Sequence, residues 1–382
     1  MDIRLNPRTL GHAVAAVKAA VARRAPRRLF ECVRVRADRE AGEVRLAGTD
    51  LEAFAEAVVG GAEVREAGEL LLPVAVLEAV AKASKASKAE AVRLEAGRRV
   101  GAGFMVVAEW TDPKTGEAVR QTLEGEDPAQ YPEAPQSVDE GSWIRFAGLG
   151  GFLREAAASA GDDAARYVLN GIAVGLGRIA ATDGRRLYCR TSPEVEAVDC
   201  AGGPYLMAPD IVRRIPAGLL AGLDRIGFAA AGLRPRVEFA GEYPRLGFRL
   251  RYAVRCLEGS YPDVGAILPA ETIEASPIDP EAWTRAVEGV EHLCSKDSPC
   301  VKVTPGPTGW EVQSKDAAGS ASRTIPGEAR GPRKPFGINP RYLRTVLRWG
   351  PHSIRYEGPN HAVRFDGADG RVGVVMPIMI DG

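Results

Sequence analysis

Three short marks recur along the chain at a spacing of about 130 residues, and self-similarity of that period dictates a fold built by repeating one supersecondary plan. In the first mark an apolar run passes through a proline into a helical stripe. Leu70-Leu71-Leu72-Pro73 precedes Val76, Leu77 and Val80; Tyr205-Leu206-Met207-Ala208-Pro209 precedes Val212 and Ile215; Phe336-Gly337-Ile338-Asn339-Pro340 precedes Leu343, Val346 and Leu347. The prolines stand 209 − 73 = 136 and 340 − 209 = 131 residues apart. Proline suits a first helical turn, where its missing N–H would find no acceptor anyway. The second mark is Gly48-Thr49-Asp50, Ala181-Thr182-Asp183 and Ser314-Lys315-Asp316, with aspartates 183 − 50 = 133 and 316 − 183 = 133 apart. The third occurs twice: Leu123-Glu124-Gly125 with Tyr131-Pro132, and Leu257-Glu258-Gly259 with Tyr261-Pro262. A length of 382 residues suits two or three domains, and the marks select three, at 1–138, 139–272 and 273–382.

Each repeat opens on a helical pattern. Leu10, Val14, Val17 and Val21 share one helix face; Phe152 and Leu153 begin a weaker version reaching Ala160; Pro280-Glu281-Ala282-Trp283 starts a helix carrying Val287, Val290 and Leu293. Short β-type runs at 32–35, 44–47 and 372–375 are separated by Gly, Pro and Asp turns. The expected fold class is α+β. Each domain is two strand–helix–strands units, with antiparallel sheet outside and two helices packed on one face.

Fifty Lys and Arg balance fifty Asp and Glu, which excludes coating of nucleic acid by chain-wide positive charge but permits charges sorted onto different surfaces. They are sorted. Arg8, Lys18, Arg23, Arg24, Arg27 and Arg28 follow one another with no intervening acid, as do Arg333, Lys334, Arg341, Arg344, Arg348 and Arg355. Arg341, Arg344 and Arg348 share a helix face opposite Leu343, Val346 and Leu347, and Lys82, Lys85 and Lys88 extend the second helix of the first repeat. Acids collect at 49–69 and 124–142. One such helix alone is most simply a solvated face. If equivalent helices of every repeat face one way, their charges add into a surface that attracts phosphates without reading bases. Few aromatics lie among the cations, so duplex backbone fits better than stacked single strands.

Catalytic patterns are missing. There is no Gly-x-x-x-x-Gly-Lys-Ser/Thr loop, no Gly-x-Ser-x-Gly and no Ser-x-x-Lys, and Gly175-Leu176-Gly177 lacks the third glycine of a dinucleotide fingerprint. His292, Cys294 and Cys300 offer three metal ligands at irregular spacing without a fourth, and Asp162-Asp163 reads as a cap or turn, as do Asp50 and Asp183. No catalytic residue, metal or cofactor is expected. The amino terminus lacks a secretory pattern, no apolar run is membrane-length, and six cysteines form no Cys-x-x-Cys pair, so the expectation is a cytoplasmic chain with reduced thiols and no membrane.

Four motifs in order carry a resemblance. Tyr167-Val168-Leu169-Asn170-Gly171, Ala181-Thr182-Asp183-Gly184-Arg185-Arg186-Leu187, Leu257-Glu258-Gly259-Ser260-Tyr261-Pro262-Asp263 continuing to Ile267-Leu268-Pro269, and Val374-Val375-Met376-Pro377-Ile378 resemble signatures of the bacterial DNA polymerase III beta subunit family, the sliding clamps. Gly48-Thr49-Asp50-Leu51-Glu52 fits the first-domain counterpart. The resemblance implies three similar domains per chain, two chains joined head to tail as a homodimer ring, and double-stranded DNA passing through the hole without sequence preference. It also implies a non-catalytic processivity subunit that tethers the replicative DNA polymerase.

The expected DNA-facing residues are Arg24, Lys82, Lys85, Tyr167, Arg213, Arg341, Arg344 and Arg348. The family also docks short linear motifs of polymerase, clamp loader and repair proteins in one pocket per chain. By motif that pocket would use Leu169, Gly171, Thr182, Gly184, Arg186, Leu187, Pro262, Ile267, Val374, Val375, Met376 and Pro377. Arg185 replaces the family's usual His, Ala266 stands where an Arg is common, and the ending Ile380-Asp381-Gly382 lacks the common Arg-Leu. A hairpin at 110–116 looks extended beside the edge expected to meet a neighbouring subunit. Two other readings stay open: a clamp-like paralogue acting as a protein-interaction scaffold away from the replication fork, and an enzyme on this scaffold, which the empty motif search disfavours.

Overall fold

The computed structural model describes residues 1–100, 103–196, 198, 203–230 and 235–380; Cys200, Asp381 and Gly382 lie outside the described residues. The chain divides into two compact units. Unit 1 comprises 1–151 and 210–256, and unit 2 comprises 152–209 and 257–382.

Unit 1 holds a five-stranded and an eight-stranded antiparallel sheet. In the larger sheet the strand Ala53–Val59, from the first repeat, pairs with Phe248–Arg255, near the end of the second, in the register Phe54 to Ala253 and Val58 to Arg249. Unit 2 holds an eight-stranded and a four-stranded antiparallel sheet. There Arg186–Thr191 pairs with Arg371–Val375, Leu187 opposite Val374. The two pairings are the same joint repeated. Each joins strands about 190 residues apart in sequence, a separation that loop-closure entropy penalises only logarithmically. The division between the units runs through the second sequence-defined domain because each large sheet takes strands from successive repeats.

Eight α-helices lie among the described residues: α1 (Pro7–Val17), α2 (Val74–Ala86), α3 (Leu149–Ser159), α4 (Asp210–Arg214), α5 (Ala217–Leu220), α6 (Val264–Ile267), α7 (Pro280–Val290) and α8 (Pro340–Leu347). α1, α3 and α7 each open a repeat and each has 11 residues. α1, α7 and α8 start alike: Asn6, Asp279 and Asn339 accept hydrogen bonds from N–H groups of the first turn, and a proline occupies the next position. Pro73 instead caps α2 from outside, and Pro209 precedes α4, so only one of the three periodic prolines sits inside its helix.

Helix ends depart from the sequence pattern in three further places. α1 stops at Val17, followed by a 3₁₀ turn Lys18–Ala20; Val21 is buried beyond it, and Arg23, Arg24, Arg27 and Arg28 lie off the helix. α4 stops at Arg214 because Pro216 cannot continue it, leaving Ile215 outside. α7 stops at Val290, and Leu293 belongs to a 3₁₀ turn. Leu10, Val14, Leu77, Val80, Val287, Leu343 and Val346 are all core, as their spacing requires. Among the described residues no helix is long and apolar enough to cross a membrane.

Candidate functional site

The periodic aspartates make one structure three times. Asp50 Oδ1 accepts from the N–H groups of Glu52 and Ala53, Asp183 Oδ1 from Arg185 and Arg186, and Asp316 Oδ1 from Ala318 and Gly319, at 2.7–3.1 Å. These are carboxylate-capped turns at strand ends, the role their period suggested. In the first two a threonine adds to the cap. Thr49 and Thr182 donate their hydroxyls to the carbonyls of Ala53 and Arg186 and accept from the N–H groups of Leu51 and Gly184.

In unit 2 this turn stands beside most of the motif-derived pocket set. Leu187 and Val374 pack with Ala180, Cys189, Val264 and Val372, with Tyr261 and Leu268 against them. Strand alternation splits the set between two faces. Val375 is buried on the side opposite Val374, the side where Gly373 abuts Val346 and Trp349, so it serves the helix-facing core. Arg186 points the same way: Nε meets Asp183 at 3.0 Å, the guanidinium lies 4.7 Å over the Tyr342 ring, and Nη1 donates to Thr345 Oγ1 at 3.0 Å. Tyr342 and Thr345 escaped the sequence reading, although they follow the periodic Pro340 by two and five residues.

The remaining members are graded in exposure. Thr182 and Gly171 are buried, and Leu169 and Pro377 are half-buried. Gly184 (φ 83°) and Pro262 are exposed, and Ile267 at 49% and Met376 at 44% are the bare apolar side chains of the group. The Met376 N–H donates to the Arg185 carbonyl at 2.8 Å, which ties the last strand to the aspartate turn. A side-chain carbon at Gly171 would meet Leu257 at 3.3 Å, a tight contact, and Leu206 at 3.6 Å, an ordinary one. Arg185 is exposed, and among the described residues no carboxylate lies within ion-pair distance of it.

The cationic set divides by what each charge already touches. In unit 1, α1 and α2 flank a groove lined by Arg8, His12, Glu78, Lys82 and Lys85. Lys18 is held by Glu78 at 2.8 Å, whereas Lys82 and Lys85 are exposed and make no ion pair among the described residues. The His12 imidazole is pushed below its usual range by burial, then by Lys85 and Arg8, the signature of a positive local potential. Arg24 is exposed in the loop after the first 3₁₀ turn, and Arg213 in α4 pairs with Asp210 at 3.3 Å.

In unit 2, Arg341 and Arg348 are exposed. Arg344 is not their equal. No acid occurs near it in sequence, but the fold brings Glu291 to 2.9 Å from its Nη1, and the side chain is two-thirds buried. Tyr167 is 53% exposed and lies near Gly259 (φ 124°), where a side-chain carbon would press first on Val168 and then on the Tyr167 hydroxyl. Cys294 and Cys300 do not form a ligand set: the Cys294 thiol bonds the Cys300 carbonyl at 3.1 Å and meets Ser314 Oγ at 3.3 Å. Among the described residues no group of three or more His, Cys, Asp or Glu side chains is placed to hold a metal.

No family model and no curated protein matches the chain. Solved structures do, over the full length of both partners. The DNA polymerase beta subunit of Streptococcus pyogenes matches with a TM-score of 0.81 at 17% identity, covering 100% of each chain. The DNA polymerase sliding clamp of Bacillus subtilis matches with a TM-score of 0.79 at 16% identity, again covering 100% of each. A sliding clamp (DNA polymerase III subunit beta) of Bartonella birtlesii, solved bound to griselimycin, matches with a TM-score of 0.78 at 16% identity and 100% coverage of both. The chain therefore has the fold of the bacterial DNA polymerase sliding clamps it resembles.

Proposed function

We propose that this chain is a DNA sliding clamp: three repeats at 1–138, 139–272 and 273–382, two chains closing head to tail, and duplex DNA held inside as the ring tethers a replicative polymerase in the cytoplasm. The observation that carries the reading is the full-length match to clamp structures in a chain whose repeat period is legible on its own. Exposed cations at Lys82, Lys85, Arg341 and Arg348, with no ion pair among the described residues, support it, because long side chains meeting phosphates through solvent give the many weak, sequence-blind contacts that sliding needs. Arg24 and Arg213 in unit 1, and Tyr167 and Arg344 in unit 2, are counted with them, Arg344 being already paired with Glu291. No chemistry is assigned to the chain; a tether acts by raising the effective concentration of what it holds.

Polymerase, clamp-loader and repair proteins would dock a short apolar motif across Ile267 and Met376, beside the Arg186–Tyr342 stack. The scaffold reading draws on Arg185 and Ala266, which change the polar rim of that site, and on the hairpin between Gly103–Thr111 and Ala118–Gly125, the latter an edge strand of the five-stranded sheet.

One experiment separates the two readings. After incubation with a clamp loader, the protein is expected to stay on nicked circular plasmid and to leave once the plasmid is cut; Arg341→Glu with Arg348→Glu should lower retention and flatten its salt dependence. Equal retention on linear and circular DNA, or a monomer at micromolar concentration by sedimentation, would favour the scaffold.

A further inference from the structure

The aspartate turn has a companion cleft in both units. In unit 2 it is a small space of about 250 Å³ bordered by the segment 161–170, Asp183, Arg185 and Tyr342. In unit 1 the corresponding parts, the segment 22–30, the turn 50–52 and the start of α4, enclose about 1170 Å³. The apolar floors correspond too. Ala47, Phe54 and Ala253, with Ala134 against them, take the places that Ala180, Leu187, Val374 and Val264 hold in unit 2, with Phe54 paired to Ala253 as Leu187 is to Val374.

What differs is openness and charge. In unit 2 the Arg166 guanidinium lies over Gly184 and is matched by Asp163; among the described residues lining the unit 1 cleft no such ion pair covers Leu51. At the position of Gly184, unit 1 has Leu51, a leucine held at φ 75° and 45% exposed at the cleft mouth. A branched apolar residue in that backbone region and facing water is doubly unfavourable. The acids of the cleft are already matched: Asp50 by Arg214 at 3.0 Å, Asp210 by Arg213 at 3.3 Å, and Glu52 by Arg255 at 3.8 Å. Arg23, Arg24 and Arg27 have no carboxylate within ion-pair distance among the described residues, and Arg27 bonds only the neutral Gln130.

We propose that this cleft is a second docking site, for a short peptide that places an apolar side chain against Leu51 and Phe30 and carboxylates against Arg23 and Arg27. An apolar anchor with an acidic flank is the complement of an apolar wall beside Arg23 and Arg27, two cations outside the proposed DNA-facing set, which takes Arg24. The site is built from unit 1 residues alone and the Met376 site from unit 2 residues, so substitutions test each by itself.

The test pans a displayed library of random dodecapeptides against the immobilised full chain, then measures the enriched peptides by fluorescence polarisation. Expected is a class combining Leu, Ile, Phe or Met with at least two Asp or Glu, whose affinity falls tenfold or more in Arg23→Glu/Arg27→Glu and in Leu51→Gly and is unchanged in Met376→Ala. Leu51→Gly keeps the turn, since glycine accepts its backbone angles, so a lost affinity with a melting temperature that does not fall reads the cleft itself. Enrichment only of peptides that the Met376 variant abolishes, or of none sensitive to the unit 1 variants, overturns the proposal and leaves the clamp reading untouched. A 12-nucleotide single strand or 20-base-pair duplex that loses as much affinity as the peptides in Leu51→Gly would mark the cleft as a nucleic-acid surface and also overturn it.

Discussion

Tyr188 donates its hydroxyl hydrogen to Glu155 Oε2 at 2.7 Å, and Arg371 stands 3.6 Å from the other carboxylate oxygen, so α3 is tied to the middle of the eight-stranded sheet of unit 2 by one acid with two partners. Burial lifts the Glu155 carboxyl above its usual range, while Tyr188 and then Arg371 pull it back. A raised carboxyl favours the fold most at low pH and loses that contribution as pH rises through its folded value. Tyr188→Phe removes the group that favours the charged form. It should therefore cost about 1–3 kcal/mol near neutrality and less under mild acid, as urea midpoints at the two pH values would report.

Asp366 shows the opposite sign. Burial raises its carboxyl, but hydrogen bonds from Arg355 and Arg364, each at 2.7 Å, outweigh it and leave the group below its usual 3.8. Its stabilisation is complete above the unfolded value and is lost as pH falls through the depressed one. Asp366→Asn is expected to cost about 3 kcal/mol at pH 7 by leaving two guanidinium groups short of a partner. The deficit should shrink along the acid limb of a stability–pH curve; a deficit constant with pH would refute the pairing.

The three aspartate turns predict a ranked series. Asp50→Ala, Asp183→Ala and Asp316→Ala each strip two backbone N–H groups of an acceptor, a loss of about 1 kcal/mol or more. Asp50→Ala and Asp183→Ala should both melt lower, since each also frees an arginine (Arg214, Arg186) from a 3.0 Å partner; Asp316→Ala, with no arginine partner among the described residues, should be mildest.

Two adjacent glycines in α3 predict opposite signs. A side-chain carbon on Gly150 would collide with the Leu220 carbonyl oxygen, whereas one on Gly151 meets nothing within 4 Å. Gly150→Ala should destabilise by about 3 kcal/mol or more through backbone displacement. Gly151→Ala should gain up to about 1 kcal/mol from helix propensity. Thermal melts of the two single variants check both at once.

How much the sequence disclosed follows from what kind of interaction each feature rests on. Local, periodic features were readable: the aspartate turns, the prolines that start α7 and α8, and the buried faces of α1, α7 and α8. Features set by a distant partner were not. The arginine-rich run around Arg344 carries no acid, yet Glu291 arrives from another helix; Lys18 likewise meets Glu78, 60 residues away. Val375 and Val374 are indistinguishable as letters, and only the pairing of their strand with Arg186–Thr191 decides which face each serves. Arg8 to Arg28 read as one basic run, and charge says nothing about where the helix within it stops: α1 ends at Val17 and leaves Arg23 to Arg28 outside it.

The pairing of Ala53–Val59 with Phe248–Arg255, and of Arg186–Thr191 with Arg371–Val375, has a consequence for anyone wishing to cut the molecule. A fragment ending near residue 138 would carry Ala53–Val59 as a naked border, its amide and carbonyl row unanswered and ready to recruit any extended stranger. Grafting, trimming or swapping must then trade whole seams rather than single modules, and the safest scissor points are the loops that no ladder crosses.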